Sequence, residues 1–134
     1  MIVWMLPSSS VMGRARTRVL LVDDDPAVRG TVGRQLEALG CDVVMAGSGG
    51  EAIQIAVRGP TPDILLADLQ LPDMNGVAMA RAVLADSPST RVAYMSGSAP
   101  AVPLDPRTAP FLLKPFSMTV LAEALAGAIA GSAT

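Results

Sequence analysis

From Arg18 onward the chain alternates short, uninterrupted apolar runs with longer stretches in which apolar residues recur every three or four positions. The first pattern is that of strands buried on both faces and the second that of helices covering them, so their alternation predicts βα units around a parallel sheet. Arg18–Val22 (RVLLV) is too short and too uniformly apolar for anything but a buried strand. Asp25 and Pro26 then supply an N-cap and a first helical residue; Val28, Val32, Leu36 and Leu39 form one face, Gly30 and Gly33 weaken it, and Gly40 ends it. A second strand is expected over 41–46, a loop over 47–50 and a short helix over 51–57, with Pro60 and Pro62 as breaks. Residues 64–67 predict a third strand ending at Asp68. After a turn at Pro72 and Gly76, a helix presents Val77, Ala80, Val83 and Leu84. Strands over 92–95 and 111–113 follow, and a last helix begins at Ser117 with Val120, Leu121, Leu125, Ala128 and Ile129 inward.

Two stretches break the alternation. Residues 1–17 lack periodicity and read as a flexible leader before a domain spanning 18–130 and a tail at 131–134. Between the fourth and fifth strands, Pro100, Pro103, Pro106 and Pro110 leave room for at most a turn or two, because an interior proline costs a helix about 3 kcal/mol; the crossover helix there is expected to be short or missing.

At 134 residues without internal repeats, the chain has the size of one domain with one core. Its net charge of -2 offers no basic field for a phosphate backbone, so direct nucleic-acid binding is not expected. The single cysteine, Cys41, excludes an internal disulfide and fits a reducing cytoplasm. The apolar opening at 1–6 is stopped by Pro7 and three serines, well short of the roughly 20 residues a membrane span needs, and no basic residue precedes it as in a signal peptide. Histidine is absent, which removes the usual general base and the commonest metal ligand and leaves carboxylate chemistry.

In an open parallel sheet, ligands bind beyond the carboxyl ends of the strands, where the winding reverses. Strand one ends in Asp23, Asp24 and Asp25, strand three in Asp68, strand four in Ser96 and strand five in Lys114. Two carboxylates about 4 Å apart repel by roughly 4 kcal/mol at an effective dielectric near 20, so a converging set needs a cation. Oxygen donors without His or Cys suit a hard ion such as Mg²⁺, beside which a carboxylate can act as nucleophile toward a phosphoryl group. Asp25 reads as a helix cap only.

The segments Leu21-Val22-Asp23-Asp24-Asp25-Pro26, Asp68-Leu69-Gln70-Leu71-Pro72-Asp73-Met74-Asn75-Gly76, Tyr94-Met95-Ser96-Gly97 and Phe111-Leu112-Leu113-Lys114-Pro115-Phe116 resemble, in order and spacing, the successive motifs of response-regulator receiver domains. The wording of the last two, with the shortened crossover, is similar to receivers of hybrid sensor kinases. The resemblance implies a flavodoxin-like α/β fold with a doubly wound five-stranded parallel sheet of order 2-1-3-4-5. It implies Asp68 as phosphoacceptor, and Mg²⁺ held by Asp24 directly, Asp23 through water, Asp68 and the backbone carbonyl of Gln70. It also implies Lys114 as the phosphate-sensing lysine, Ser96 and Phe111 as the switch pair, and a cis bond before Pro115. The expected partner is a histidine kinase or histidine phosphotransfer domain, and the domain catalyses only its own phosphorylation and dephosphorylation. Ala122, Ala126 and Ala130 leave the last helix with an uncharged row through which a homodimer could form.

Two rival functions remain at this level. One is a pseudo-receiver that binds partners without phosphorylation; occupation of all the chemical positions speaks against it. The other is an aspartate-nucleophile phosphohydrolase similar to haloacid dehalogenases, which needs its nucleophile on the first strand and a cap insert that this length does not offer. A dinucleotide-binding domain is excluded, because no glycine-rich loop follows strand one.

Overall fold

The computed structural model describes residues 16–100 and 109–131. Five strands, β1 (Arg18–Val22), β2 (Asp42–Ala46), β3 (Ile64–Asp68), β4 (Arg91–Ser96) and β5 (Phe111–Leu113), form one parallel sheet in the order β2-β1-β3-β4-β5. Four helices lie among the described residues: α1 (Pro26–Ala38), α2 (Gly49–Arg58), α3 (Gly76–Asp86) and α4 (Met118–Gly131). No helix occurs at 98–100 or 109–110, and the rest of the proline-rich crossover lies outside the described residues. None of the helices is long and apolar enough to cross a membrane.

The central strands alternate their side chains between two cores. Val19 and Leu21 of β1, with Ile64 and Leu66 of β3, pack under α1 and α4 against Val32, Leu36, Leu121 and Leu125. Leu20 and Val22, with Leu65 and Ala67, pack under α2 and α3 against Ala52, Ala56, Met79 and Val83. Both faces being covered explains why these strands are apolar without interruption.

Local chemistry sets the boundaries. Asp25 caps α1, its carboxylate accepting from the N–H groups of Ala27 (2.9 Å) and Val28 (3.4 Å). At the other end Gly40 adopts φ 92°, and the N–H groups of Gly40 and Cys41 turn back to the carbonyls of Glu37 (3.0 Å) and Leu36 (3.1 Å). The Cys41 N–H is thereby spent on closing the helix, and β2 starts at Asp42 rather than at residue 41.

The second helix starts two residues earlier than its two glycines suggest. Ser48 Oγ accepts from the Glu51 N–H (3.2 Å), while the Glu51 carboxylate reaches back to the Gly47 N–H (2.6 Å), a reciprocal cap that outweighs the glycines' poor propensity. Asn75 caps α3, its Oδ1 accepting from the Ala78 N–H at 2.7 Å.

Further expectations need correction. Val120 is not inward but 44% exposed, because the buried stripe of α4 runs through Leu121, Ala122, Leu125 and Ala128, and Val120 lies on the far side of the helix. Conversely, Ala122 is 2% exposed and belongs to the core. A row spaced by four residues turns about 40° per step, so it leaves the core by Ala126 and Ala130, and the uncharged outer face is smaller than the alanine row implies. Finally, Arg16 and Thr17 are built into the domain rather than the leader. The Thr17 carbonyl accepts from the Asp42 N–H (2.9 Å), and Arg16 donates to the carbonyls of Gly40 and Cys41 and pairs with Asp42 at 3.2 Å. Gly131 likewise closes α4 rather than opening the tail.

Candidate functional site

The winding reverses between β1 and β3, and the carboxyl ends of these strands bring the acidic residues together. Asp23 continues the β1–β2 ladder by donating its N–H to the Ala46 carbonyl (3.1 Å), and Asp68 is the last residue of β3, paired with Met95. One carboxylate oxygen from each of Asp23, Asp24 and Asp68 lies within 4.8 Å of the others. Asp23 is 0% exposed and Asp68 6%, whereas Asp24 is open to solvent.

Backbone donors orient the two buried carboxylates. The Asp25 N–H donates to Asp23 Oδ1 (2.9 Å), and the Gln70 N–H donates to Asp68 Oδ1 (3.0 Å). The opposite oxygens face the same cation: Lys114 Nζ lies 2.8 Å from Asp23 Oδ2 and 2.9 Å from Asp68 Oδ2. Burial acts to lower the Lys114 pKa, but the hydrogen bonds and charges of the two aspartates outweigh it and hold the pKa above the ordinary lysine value. Lys114 itself is fixed by its N–H to the Ser96 carbonyl (2.8 Å), and the Lys114–Pro115 peptide bond is cis.

Asp24, Asp68, Gln70, Ser96 and Lys114 line one open cleft of about 340 Å³, together with Leu71, Pro72, Gly97 and Ser98. Ser96 is buried, and its Oγ accepts from the Ser98 N–H at 3.3 Å. Phe111 is half-buried at the start of β5, packed against the core under α2 and α3 and away from the carboxylates. A separate apolar cleft of about 490 Å³ adjoins the site, between Val28, Thr31 and Gln35 of α1 and the Lys114-Pro115-Phe116 segment.

Several supporting residues escaped the sequence reading. Asp73 accepts from the N–H groups of Gly49 (2.9 Å) and Gly50 (2.8 Å), tying the loop after β3 to the start of α2. The Gly50 and Gly49 donors hold its pKa below the usual carboxylate value. Arg29 Nη1 donates to the Asp23 carbonyl (2.6 Å). Gly76 packs so closely that a Cβ there would lie 2.1 Å from the Asp68 carbonyl oxygen. The one available signal was for Arg29, one helical turn beyond Asp25; the partners of Asp73 lie more than 20 residues upstream, beyond any local pattern.

Three hard carboxylates at the edge of an open cleft form a donor set that fits a small divalent cation such as Mg²⁺. Asp68 is held from one side by Lys114 and lines the cleft, the placement a carboxylate needs to act as a nucleophile.

Known proteins resemble the chain in sequence and in fold. Among curated proteins the chain is 42% identical over 76 residues to the DNA-binding response regulator MtrA of Mycolicibacterium smegmatis, covering 57% of this chain and 33% of that protein. It is 36% identical over 110 residues to the sensor kinase CckA of Brucella abortus, covering 78% of this chain and 12% of that one. The chain thus spans a third or less of the length of these relatives. Among solved structures, the receiver domain of the hybrid histidine kinase CckA superposes with a TM-score of 0.70 at 31% identity, covering 84% of this chain and 98% of that one. The N-terminal domain of a response regulator/sensory box/GGDEF protein from Carboxydothermus hydrogenoformans gives 0.76 at 26%, covering 85% and 94%. The family model of the response regulator receiver domain matches residues 19–126, and the chain therefore belongs to the receiver-domain family of two-component signalling proteins.

Proposed function

We propose that the chain is a working phosphoacceptor in a two-component phosphorelay, with Asp68 as the residue that takes the phosphoryl group. The observation that carries this reading is the convergence of Asp23, Asp24 and Asp68 within 4.8 Å, with Lys114 Nζ bridging the two buried members. An Asp68 oxygen attacks the phosphorus of a phosphohistidine on a partner histidine kinase or histidine phosphotransfer domain. The P–N bond breaks, and the imidazole leaves and takes up a proton from solvent. Asp23, Asp24, Asp68 and the Gln70 backbone carbonyl would hold Mg²⁺, with Asp24 as direct ligand and Asp23 through water. When bound, that ion neutralises phosphoryl charge and favours in-line transfer.

Lys114 then exchanges one of its carboxylate partners for a phosphoryl oxygen, and Ser96 donates its hydroxyl to another. Phosphorylation adds roughly -1.5 to -2 charge to a cleft that already contains three carboxylates. Drawing Ser96 inward opens space beside β5 that Phe111 fills, remodelling the surface of β5 and α4. The apolar cleft between α1 and Phe116 opens beside Lys114 and supports the seating of a partner domain there. The remaining uncharged positions on α4, Val120, Ala126 and Ala130, are where a homodimer would form. Such a domain acts on no substrate but itself and works in the cytoplasm.

The test is intact mass after incubation with acetyl phosphate and Mg²⁺, for the wild type, for Asp68→Asn and for the wild type with chelator. The expected result is one phosphoryl adduct in the first sample alone. An unlabelled wild type, beside a control receiver that is labelled, would leave the pseudo-receiver as the surviving function.

A further inference from the structure

At the end of the sheet opposite the acidic site lies a groove of about 530 Å³, within the ~300–1,000 Å³ range of pockets that enclose a ligand-sized body. Its walls are Val44 of edge strand β2, Ile55 at the end of α2, Pro60 and Pro62 of the following loop, and the side chains of Arg18 and Arg58. Val44 is 50% exposed although it points to the side of the sheet that α2 and α3 cover, so the helices stop short of the β2 edge. No polar group of the reaction site lines this groove, and the phosphotransfer reading leaves it unused.

The chain carries an apolar segment within reach. Residues 1–6 read MIVWML, six apolar side chains in succession, followed by Pro7, three serines and Val11-Met12-Gly13-Arg14-Ala15. The path back to them starts beside the groove. Arg16 is clamped to the carbonyls of Gly40 and Cys41 and to Asp42, which itself lines the groove. Residues 7–15 separate the two, and nine residues span up to ~30 Å when extended. A tether of that kind gives an effective concentration in the millimolar range, which favours the chain's own segment over a second copy.

We propose that residues 1–6 seat in this groove as an intramolecular plug, with Ile2, Val3 and Trp4 supplying the buried side chains. The segment gains an apolar surround, and the edge of β2 gains a cover over side chains that an open sheet edge leaves to solvent. The reading does not depend on phosphorylation.

Trp4 is the only tryptophan in the chain and reports on the proposal directly. Its emission and acrylamide quenching are measured on the full chain, on Val44→Asp and on the double variant Ile2→Ser/Val3→Ser, with far-UV circular dichroism as the check on folding. The expected wild-type result is blue-shifted emission and quenching several-fold weaker than for free tryptophan, unchanged on dilution. Both variants should shift the emission to the red and restore quenching. Should Val44→Asp fail to fold, the double variant decides alone, because it leaves the domain untouched. Full quenching in the wild type overturns the proposal. So does shielding that fades on dilution, which means a second copy, or shielding that appears only with phospholipid vesicles, which means a membrane surface.

Discussion

Replacing Gly76 by alanine is the sharpest test of how the acidic site is supported. The added Cβ would sit 2.1 Å from the Asp68 carbonyl oxygen and 3.0 Å from both Asp68 C and Leu69 Cα. Ordinary contact begins at 3.4 Å, so the end of β3 and the first turn of α3 must separate by about 1.3 Å, and both are backbone. Separation also stretches the 2.7 Å bond from the Gly76 N–H to the Leu69 carbonyl. Overpacking of this kind costs about 1–3 kcal/mol and the strained hydrogen bond about 1 more, against at most ~1 kcal/mol gained from alanine's better helix propensity. The net expectation is a loss of about 1–3 kcal/mol, which a domain of ordinary stability survives in folded form.

Urea unfolding reads this as a lower midpoint with an unchanged slope, and acetyl phosphate labelling should slow because Asp68 is displaced. Gly30→Ala provides the contrast, since the nearest atom to its Cβ is the flexible end of Arg34 at 3.6 Å; there the same change should stabilise by up to ~1 kcal/mol. A Gly76→Ala midpoint at or above that of the wild type would refute the reasoning.

Lys114→Met leaves two buried carboxylates facing each other without their cation, and the metal-free protein should lose about 1–3 kcal/mol. Calorimetry should find Mg²⁺ bound several-fold more tightly than in the wild type, since the competing ammonium is gone; weaker binding would count against Lys114 and the ion sharing the same oxygens. Burial pushes the Cys41 thiol from 9.0 up to about 11, so the folded state keeps its proton longer than the unfolded chain. The stability this provides is complete below pH 9 and is lost by about pH 11; unfolding free energies should therefore fall by roughly 2–3 kcal/mol more across that window in the wild type than in Cys41→Ala. Asp73→Ala removes the acceptor from the Gly49 and Gly50 N–H groups, and hydrogen exchange should show both amides losing protection while the amides of β3 keep theirs.

What the sequence reveals depends on how local each cause is. The five strands are readable because a run such as residues 64–67 of β3 is buried on both faces and leaves no polar position to confuse the pattern. The convergence of Asp23, Asp68, Ser96 and Lys114 is readable because each ends or directly follows a strand, so locating strand ends locates the polar cluster. The N-terminus of α2 is misplaced when two glycines are weighed more heavily than the Ser48 and Glu51 cap around them. Ala122 is misassigned when a four-residue row is treated as a fixed face. Asp73 and Gly76 owe their roles to segments brought together only by folding, Gly49 and Gly50 in one case and the Asp68 carbonyl in the other.

The groups at the acidic edge are not equally anchored. Asp23 and Asp68 stand on β1 and β3, strands with neighbours on both sides and helices over both faces. Lys114 follows β5, three residues long, which among the described residues pairs with β4 alone. The carboxylates thus belong to the stiff frame of the molecule and the ammonium to its compliant rim. On that geometry Lys114 is the group expected to shift first when the charge in the cleft changes, and the aspartates the ones expected to stay.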